Sequence, residues 1–412
     1  MATVNSAIPP FLAITSRPAL ANILSTLGER EQQRRALAEQ GRMRAAMERS
    51  TEGSGIGRNA PAPPSEGEEE ESNDWFAVAA GTTRENMSKN RYGDIIAYDR
   101  TRCLPPLRTT AAGNEPSYVN ASLVQEPQLG LPIEQLKRRW WVAAQAPIPS
   151  TVHDFLSLLL TPPSSLAYQT LSTVSPTTSP SLPLINLIVQ LTPLVEGRRE
   201  KCHPYFPPEV GQKWDVPSAS KELGQGVWVR LEKQEEKEGA RTSELTVGQE
   251  GETQGKKVVH VEYLGWRDHG VPDSPTHLVR FIKRIHSLKA SLAPTPSATS
   301  SSTPSPDPPI LLHCSAGVGR TGTLLAISSL LPFLSLLRSS PFAQRSWPIP
   351  PTLPSHPLGA YPATTMLAGG VPDYVGLTID GLRDQRTTMA QTQEQVLFIY
   401  QALIAAWETG LV

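Results

Sequence analysis

Hydrophobic positions fall into short apolar runs separated by long polar stretches. Runs with strand character occupy residues 140–144, 185–191, 227–231, 258–263 and 310–312. Apolar residues at three- and four-residue spacing predict helices over 152–160, 276–292, 321–337 and 392–408. Strands and helices mix through one long segment, which predicts a single α/β (α+β) domain over residues 73–412. Four low-complexity stretches, near 161–183, 233–257, 293–309 and 338–372, read as surface excursions, because closing a longer loop costs little extra. Residues 1–72 read as a partly helical extension. Leu20, Ile23, Leu24 and Leu27 have helical spacing, and the Arg/Glu-rich sequence after them reads as a solvated helix face. The run from Glu66 to Glu71 lies in a segment with too little apolar surface to offset its ordering entropy, and reads as a disordered linker.

Composition sharpens this picture in three places. The 40 prolines among 412 residues, about twice ordinary usage, must sit in loops and tails. Thirty-eight Lys+Arg against 39 Asp+Glu leave a net charge of −1, which does not suggest a nucleic-acid binder. Three cysteines, Cys103, Cys202 and Cys314, cannot make a disulfide framework, so a reduced intracellular compartment is expected. The longest uncharged helical run contains Pro332 and reads as a buried helix, not a membrane span, and no secretory signal is expected.

The chemistry concentrates in residues 310–323, ILLHCSAGVGRTGT: a short strand, a glycine-rich turn and an apolar helix. Such a unit aims backbone N–H groups and a helix N-terminus at an anion. Gly317, Gly319 and Gly322 spell the dinucleotide fingerprint, but no acid for a ribose occurs between Asp307 and Asp373. A nucleoside-triphosphate loop would need lysine where Thr323 stands. Cys314 and Arg320, with five residues between them, fit better. The amides of Ser315, Ala316, Gly317, Val318 and Gly319 would surround a tetrahedral dianion, and Arg320 would clamp it bidentately. The same positive field favours the thiolate, which is the nucleophile. Cys103 and Cys202 lack such surroundings and read as small buried hydrophobes.

HCSAGVGRTG resembles the His-Cys-x5-Arg-[Ser/Thr]-Gly signature of the tyrosine-specific protein phosphatases. Further segments resemble that family in its order: Asn90-Arg91-Tyr92 with Tyr98-Asp99; Tyr118-Val119-Asn120-Ala121-Ser122; Gln145-Ala146-Pro147; Glu196-Gly197 and Lys201-Cys202; Trp266-Arg267-Asp268-His269-Gly270-Val271-Pro272; and Arg383 through Tyr400. The resemblance covers roughly residues 75–410. It implies a central twisted mixed sheet flanked by helices, and a non-receptor enzyme, cytosolic or nuclear, that is metal-free, needs no cofactor and is monomeric.

The resemblance also implies roles. Cys314 attacks phosphorus to give a phosphocysteine, and Arg320, its fork fixed by Glu196, stabilises the equatorial oxygens. Asp268 protonates the departing phenolate and then acts as base on water, delivered by closure of the loop around Trp266. Gln391 orients that water, with Gln395 assisting. Thr321 hydrogen-bonds the Cys314 sulfur, and His313 orders the loop. Tyr92 stacks on the substrate ring and sets a pocket depth that phosphoserine cannot span. Asp94 holds the peptide backbone. The partners are phosphotyrosine-containing proteins, kinases among them, in signalling. Two departures stand out. Arg267 replaces the usual proline of the acid loop, leaving that loop less restricted, and Gly93 stands where many relatives carry a charge. A phosphatase with wider substrates and a catalytically idle phosphotyrosine-binding scaffold remain the competing readings; Tyr92 and the Gln391/Gln395 pair oppose the first, and retention of Cys314, Arg320 and Asp268 opposes the second.

Overall fold

The computed structural model describes residues 7–13, 17–53, 75–104, 107–110, 113–116, 118–130, 138–169, 181–218, 225–266, 270–292, 307–339, 347, 356–362, 367 and 370–412. The expected linker, most of the 293–309 insert and Asp268 lie outside the described residues.

An eight-stranded mixed sheet forms the centre. Its strands are β1 (Ala121–Gln125), β2 (Trp140–Ala144), β3 (Leu187–Gln190), β4 (Lys213–Val216), β5 (Val227–Lys237), β6 (Ala240–Gln249), β7 (Lys256–Tyr263) and β8 (Ile310–His313), in the order β1-β2-β8-β3-β7-β6-β5-β4. Parallel pairing links β2, β8, β3 and β7, and the remaining pairs are antiparallel. The parallel strands are apolar on both faces because helices or packed loops cover both. Ile310 and Leu312 of β8 join one core cluster while Leu311 joins the other, and Leu187 and Val189 oppose Ile188 in the same way. This period of two divides an uninterrupted apolar run between two cores.

The larger cluster takes in helices α3 (Pro275–Ser291), α4 (Gly319–Ser339), α5 (Tyr374–Arg383) and α6 (Gln393–Glu408), while α2 (Val152–Ser157) packs in the other. Local chemistry sets their starts. Ser274 caps α3 ahead of Pro275, and Thr392 and Gln395 form a reciprocal capping box on α6. Among the described residues, α4 alone is long and apolar enough to cross a membrane, yet it is a core helix with most of its length buried. It runs through Pro332 without ending there.

Three expectations need correction. The charged stretch 233–257 is not an excursion. It supplies the outer half of β5, all of β6 and the start of β7. Its Glu and Lys residues lie on a solvated face, where antiparallel strands tolerate charge, and Arg241 bridges to Glu262 at 2.8 Å and Glu236 at 3.3 Å. A two-residue turn with both residues left-handed, Glu238 (φ 54°) and Gly239 (φ 68°), closes the β5–β6 hairpin. The described part of 338–372 also packs: Trp347 meets Phe11 and Tyr374, and His356 pairs with Asp384 at 3.0 Å.

Third, the helix α1 (Arg17–Gly53) is not a solvated appendage. Ile23 and Leu27 enter the main core, and the same stripe continues as buried charge. Arg30 Nε donates to both oxygens of Asp380 at 2.9 and 3.0 Å, and its other nitrogens donate to the carbonyls of Leu358, Gly359 and Ala360. Arg34, wholly buried, bridges Asp380 and Asp384, each at 2.6 Å. Burial alone would raise the pKa of Asp384, but Arg34 and His356 outweigh it and hold the carboxylate at about 2. Arg34→Ala would leave the buried Asp380 and the half-buried Asp384 each short of a partner. It should cost about 3–5 kcal/mol, read as a fall in the urea midpoint.

Candidate active site

The central position of β8 determines where the chemistry sits. The strand ends at His313, the chain turns through residues 314–318, and α4 begins at Gly319. Cys314 therefore lies at the carboxyl end of a parallel strand, at the foot of a helix N-terminus. A cleft of about 290 Å³ opens here, and Cys314, Ser315, Ala316, Gly319, Arg320, Glu196, Tyr92, Asp94, Gln391 and Gln395 all line it. The Cys314 side chain is 5% exposed, open to this cleft, and its sulfur accepts a hydrogen bond from Gly317 N at 3.2 Å.

The turn is built so that only glycine fits. Gly317 has φ 71°, and a Cβ there would stand 2.1 Å from the Ala144 carbonyl oxygen. A Cβ on Gly322 would stand 2.2 Å from Ala390 N. Gly317→Ala should therefore lose measurable turnover, seen in initial rates on an aryl phosphate; retained rates would mean that the turn can rearrange.

Carbonyls of the same turn are pinned outward by Arg386, a wholly buried side chain. Its Nε donates to Gly317 O at 2.8 Å and its Nη2 to Ala316 O at 3.0 Å, while Ser122 and Asn120 hold the remaining fork. Burial pulls its pKa down to about 10, so it stays charged at neutral pH. With their carbonyls tied behind, the peptide units of the turn direct N–H groups toward the cleft. Within the motif from Arg383 through Tyr400, nothing local marks Arg386 for this role.

Arg320 is fixed by Glu196 Oε1 at 2.5 Å and by the Leu191 carbonyl at 3.1 Å. Thr192 steadies the same carboxylate oxygen, with Lys201 at 4.0 Å from its partner oxygen. The expected Glu196–Arg320 pair is thus formed. Trp266 lies beside the guanidinium, 5.8 Å from ring centre to Cζ, and its Nε1 donates to Gly270 O.

Tyr92 stands at the rim. Ser315 Oγ donates to Lys201 O at 2.9 Å, so the Tyr92 hydroxyl donates in turn to Ser315 Oγ, also at 2.9 Å. Its loop is stapled from below. Gln145 accepts from Arg91 N and donates to Lys89 O, and Asn90 accepts from Tyr118 and Asn120. Asp94 is exposed beside Tyr92. On the opposite rim, Gln391 is exposed while Gln395 is buried against Gly319.

His313 lies beneath the turn. Its Nδ1 donates to Cys314 O at 3.1 Å, leaving Nε2 to face the Tyr205 hydroxyl at 2.9 Å. Burial pushes its pKa down to about 4, so it is a neutral structural ring at pH 7. Burial pushes His260 and His286 to about 3. From about pH 6.5 downward the unfolded chain binds protons that these folded rings refuse, so stability falls with pH until the folded values are reached. Together they add about 4 kcal/mol per pH unit to that slope. Urea titrations between pH 6.5 and 4.5 should show this decline, and a flat profile would contradict it.

One expected contact differs. Thr321 is buried, but its hydroxyl makes no hydrogen bond with the described residues, so the expected bond to the Cys314 sulfur is not formed. Within the turn Val318 is wholly buried, and its carbonyl accepts from Gly322 N and Ala390 N. No group of three or more His, Cys, Asp or Glu that could hold a metal occurs among the described residues.

The family model for protein-tyrosine phosphatase matches residues 86–166 and 184–338, more than half of the chain. Tyrosine-protein phosphatase non-receptor type 4 of Mus musculus is 26% identical over 328 residues, 80% of this chain and 26% of the relative. Protein-tyrosine-phosphatase PTP1 of Arabidopsis thaliana is 28% identical over 324 residues, 77% of this chain and 70% of the relative. The chain thus spans about a quarter of the mouse protein's length. By the matched span and by the cysteine-arginine turn within it, the chain belongs to the protein-tyrosine phosphatase family.

Proposed function

We propose that the chain hydrolyses phosphotyrosine in proteins through a phosphocysteine intermediate. The observation that carries this reading is the convergence of Cys314, Arg320 and Tyr92 on one cleft. The phosphate dianion would sit above the Cys314 sulfur, with two oxygens on Arg320 and the rest on the amides of residues 315–319. The sulfur–phosphorus bond forms as the phosphorus–oxygen bond to the phenol breaks. Phenolate is a poor leaving group, since tyrosine's pKa is near 10, so Asp268 supplies the proton. In the second step a water oxygen, held by Gln391 and Gln395, bonds to phosphorus. The phosphorus–sulfur bond breaks with its electron pair on Cys314, and the water proton passes to Asp268.

Tyr92 would stack on the substrate ring, and Asp94 would meet the peptide backbone. The same reading places the protein as a monomer in the cytoplasm or nucleus, acting on phosphotyrosine proteins, kinases among them, in signalling. Phosphate release from a phosphotyrosine peptide, measured in chelator beside the matching phosphoserine peptide, tests it. Release from the phosphotyrosine peptide alone supports it. Equal release from both would favour the wider-substrate reading, and release from neither would favour an idle binding module.

A further inference from the structure

The buried charge on α1 does more than hold the helix down. The segment joining α5 to α6 carries two left-handed residues that are not glycine, Thr388 (φ 58°) and Ala390 (φ 51°), immediately before Gln391. Residues with a Cβ avoid this conformation unless their surroundings impose it. For Thr388 the surroundings come from α1. Glu31, buried against the segment, accepts from Thr388 N at 3.1 Å, from Thr387 Oγ1 at 3.0 Å and from Thr388 Oγ1 at 3.3 Å, all on Oε1. Arg383 ties the same segment from the other side. It donates to Met389 O and Ala390 O, each at 2.9 Å, and to Leu27 O of α1 at 2.8 Å. Its Nε stands 4.0 Å from the second oxygen of Glu31.

We propose that Glu31 is a positioning residue for the hydrolytic step: through Thr387 and Thr388 it fixes the backbone that presents Gln391 to the cleft. This rests on the phosphocysteine reading above, in which Gln391 acts on water and not on the phenol ester. Formation of the phosphoenzyme uses Cys314, Arg320 and Asp268, whereas Glu31 hydrogen-bonds to Thr387 and Thr388. Its hydrolysis needs the water placed in line with the phosphorus–sulfur bond, and a small displacement of the glutamine suffices to spoil that alignment. The helix is thereby a working part of the active site, although its sequence is remote from every catalytic motif.

The test uses the full chain and 4-nitrophenyl phosphate. Stopped-flow release of nitrophenolate reads formation, and a phosphate sensor reads hydrolysis. Glu31→Ala should slow phosphate release about tenfold while the first-turnover nitrophenolate rate stays within about twofold. Glu31→Gln keeps an acceptor for Thr388 N and should recover most of the lost rate. Should Glu31→Ala fail to fold, Thr387→Val removes one of the three bonds and should lower hydrolysis alone. Equal slowing of both steps would reduce Glu31 to a structural residue and overturn the proposal, as would unchanged hydrolysis in Glu31→Ala. If the wild-type chain forms no phosphoenzyme, the phosphocysteine reading and this one fall together. If it forms one and only the Glu31 result fails, the phosphocysteine reading stands.

Discussion

Cys314→Ser should leave a folded chain that binds a phosphotyrosine peptide and releases no measurable phosphate. The substitution exchanges one buried atom, and the packing around it needs no adjustment. Gly317 N can donate to a hydroxyl as it does to the sulfur. The phosphate cradle, with Arg320 held by Glu196, is untouched. What is lost is the nucleophile, because an alcohol ionises far less readily than a thiol. Removal of a nucleophile elsewhere costs on the order of 10⁶ in turnover, and a comparable loss is expected here. Peptide affinity measured by calorimetry should persist. Turnover that survives the substitution would remove Cys314 from the reaction.

Asp268→Ala should separate substrates by their leaving groups. A phenyl ester with a pKa near 10 departs poorly without a proton, so its turnover should fall by about 10²–10⁴. A nitrophenyl ester leaves readily as the anion and should lose much less. The ratio of the two losses is the informative quantity, because a merely misfolded loop would slow both alike. Arg267, beside this acid where the family usually has proline, should alter the rate of loop closure without removing the proton donor. Equal losses on both esters would end the general-acid assignment.

Much of this molecule was legible along its sequence because the decisive information is local. The run Ile310–Leu312 is apolar since it is buried on both faces, and at Gly317 and Gly322 an added Cβ would collide with the backbone of Ala144 and Ala390. Cys314, Arg320 and the turn between them occupy one contiguous stretch, so their spacing alone suggested a phosphate cradle. Where the decisive contact is remote in sequence, the reading failed. The β5–β6 hairpin looked like a charged insert because half of its residues face water, and only pairing with β7 and β4 makes it a sheet. The helix α5 carries Gly376 and Gly381, which mask its periodicity. A Cβ on Gly376 would collide with Asp373 Oδ2 and with the Tyr361 hydroxyl, the second of which lies outside the helix.

The charged face of α1 misled for a related reason. Apolar periodicity counts Ile23 and Leu27 and then stops, yet Arg30, Glu31 and Arg34 continue the same stripe as buried side chains. Their partners lie about 350 residues further along, as with Arg30 and Asp380. Arg386 is the equivalent case in the site: it acts on Gly317 from 69 residues away, and nothing near it in sequence tells of carbonyls to be held.

The central claim is that the sulfur of Cys314 becomes covalently bonded to phosphorus during turnover. The most direct measurement is an acid quench of the enzyme within its first turnovers of a phosphotyrosine peptide, followed by mass mapping of the phosphorylated residue. The account predicts one added phosphate on Cys314, absent from Cys314→Ser and lost as free phosphate when hydrolysis is allowed to proceed. Phosphate mapped to another side chain, or turnover with no covalent adduct at any quench time, would contradict it.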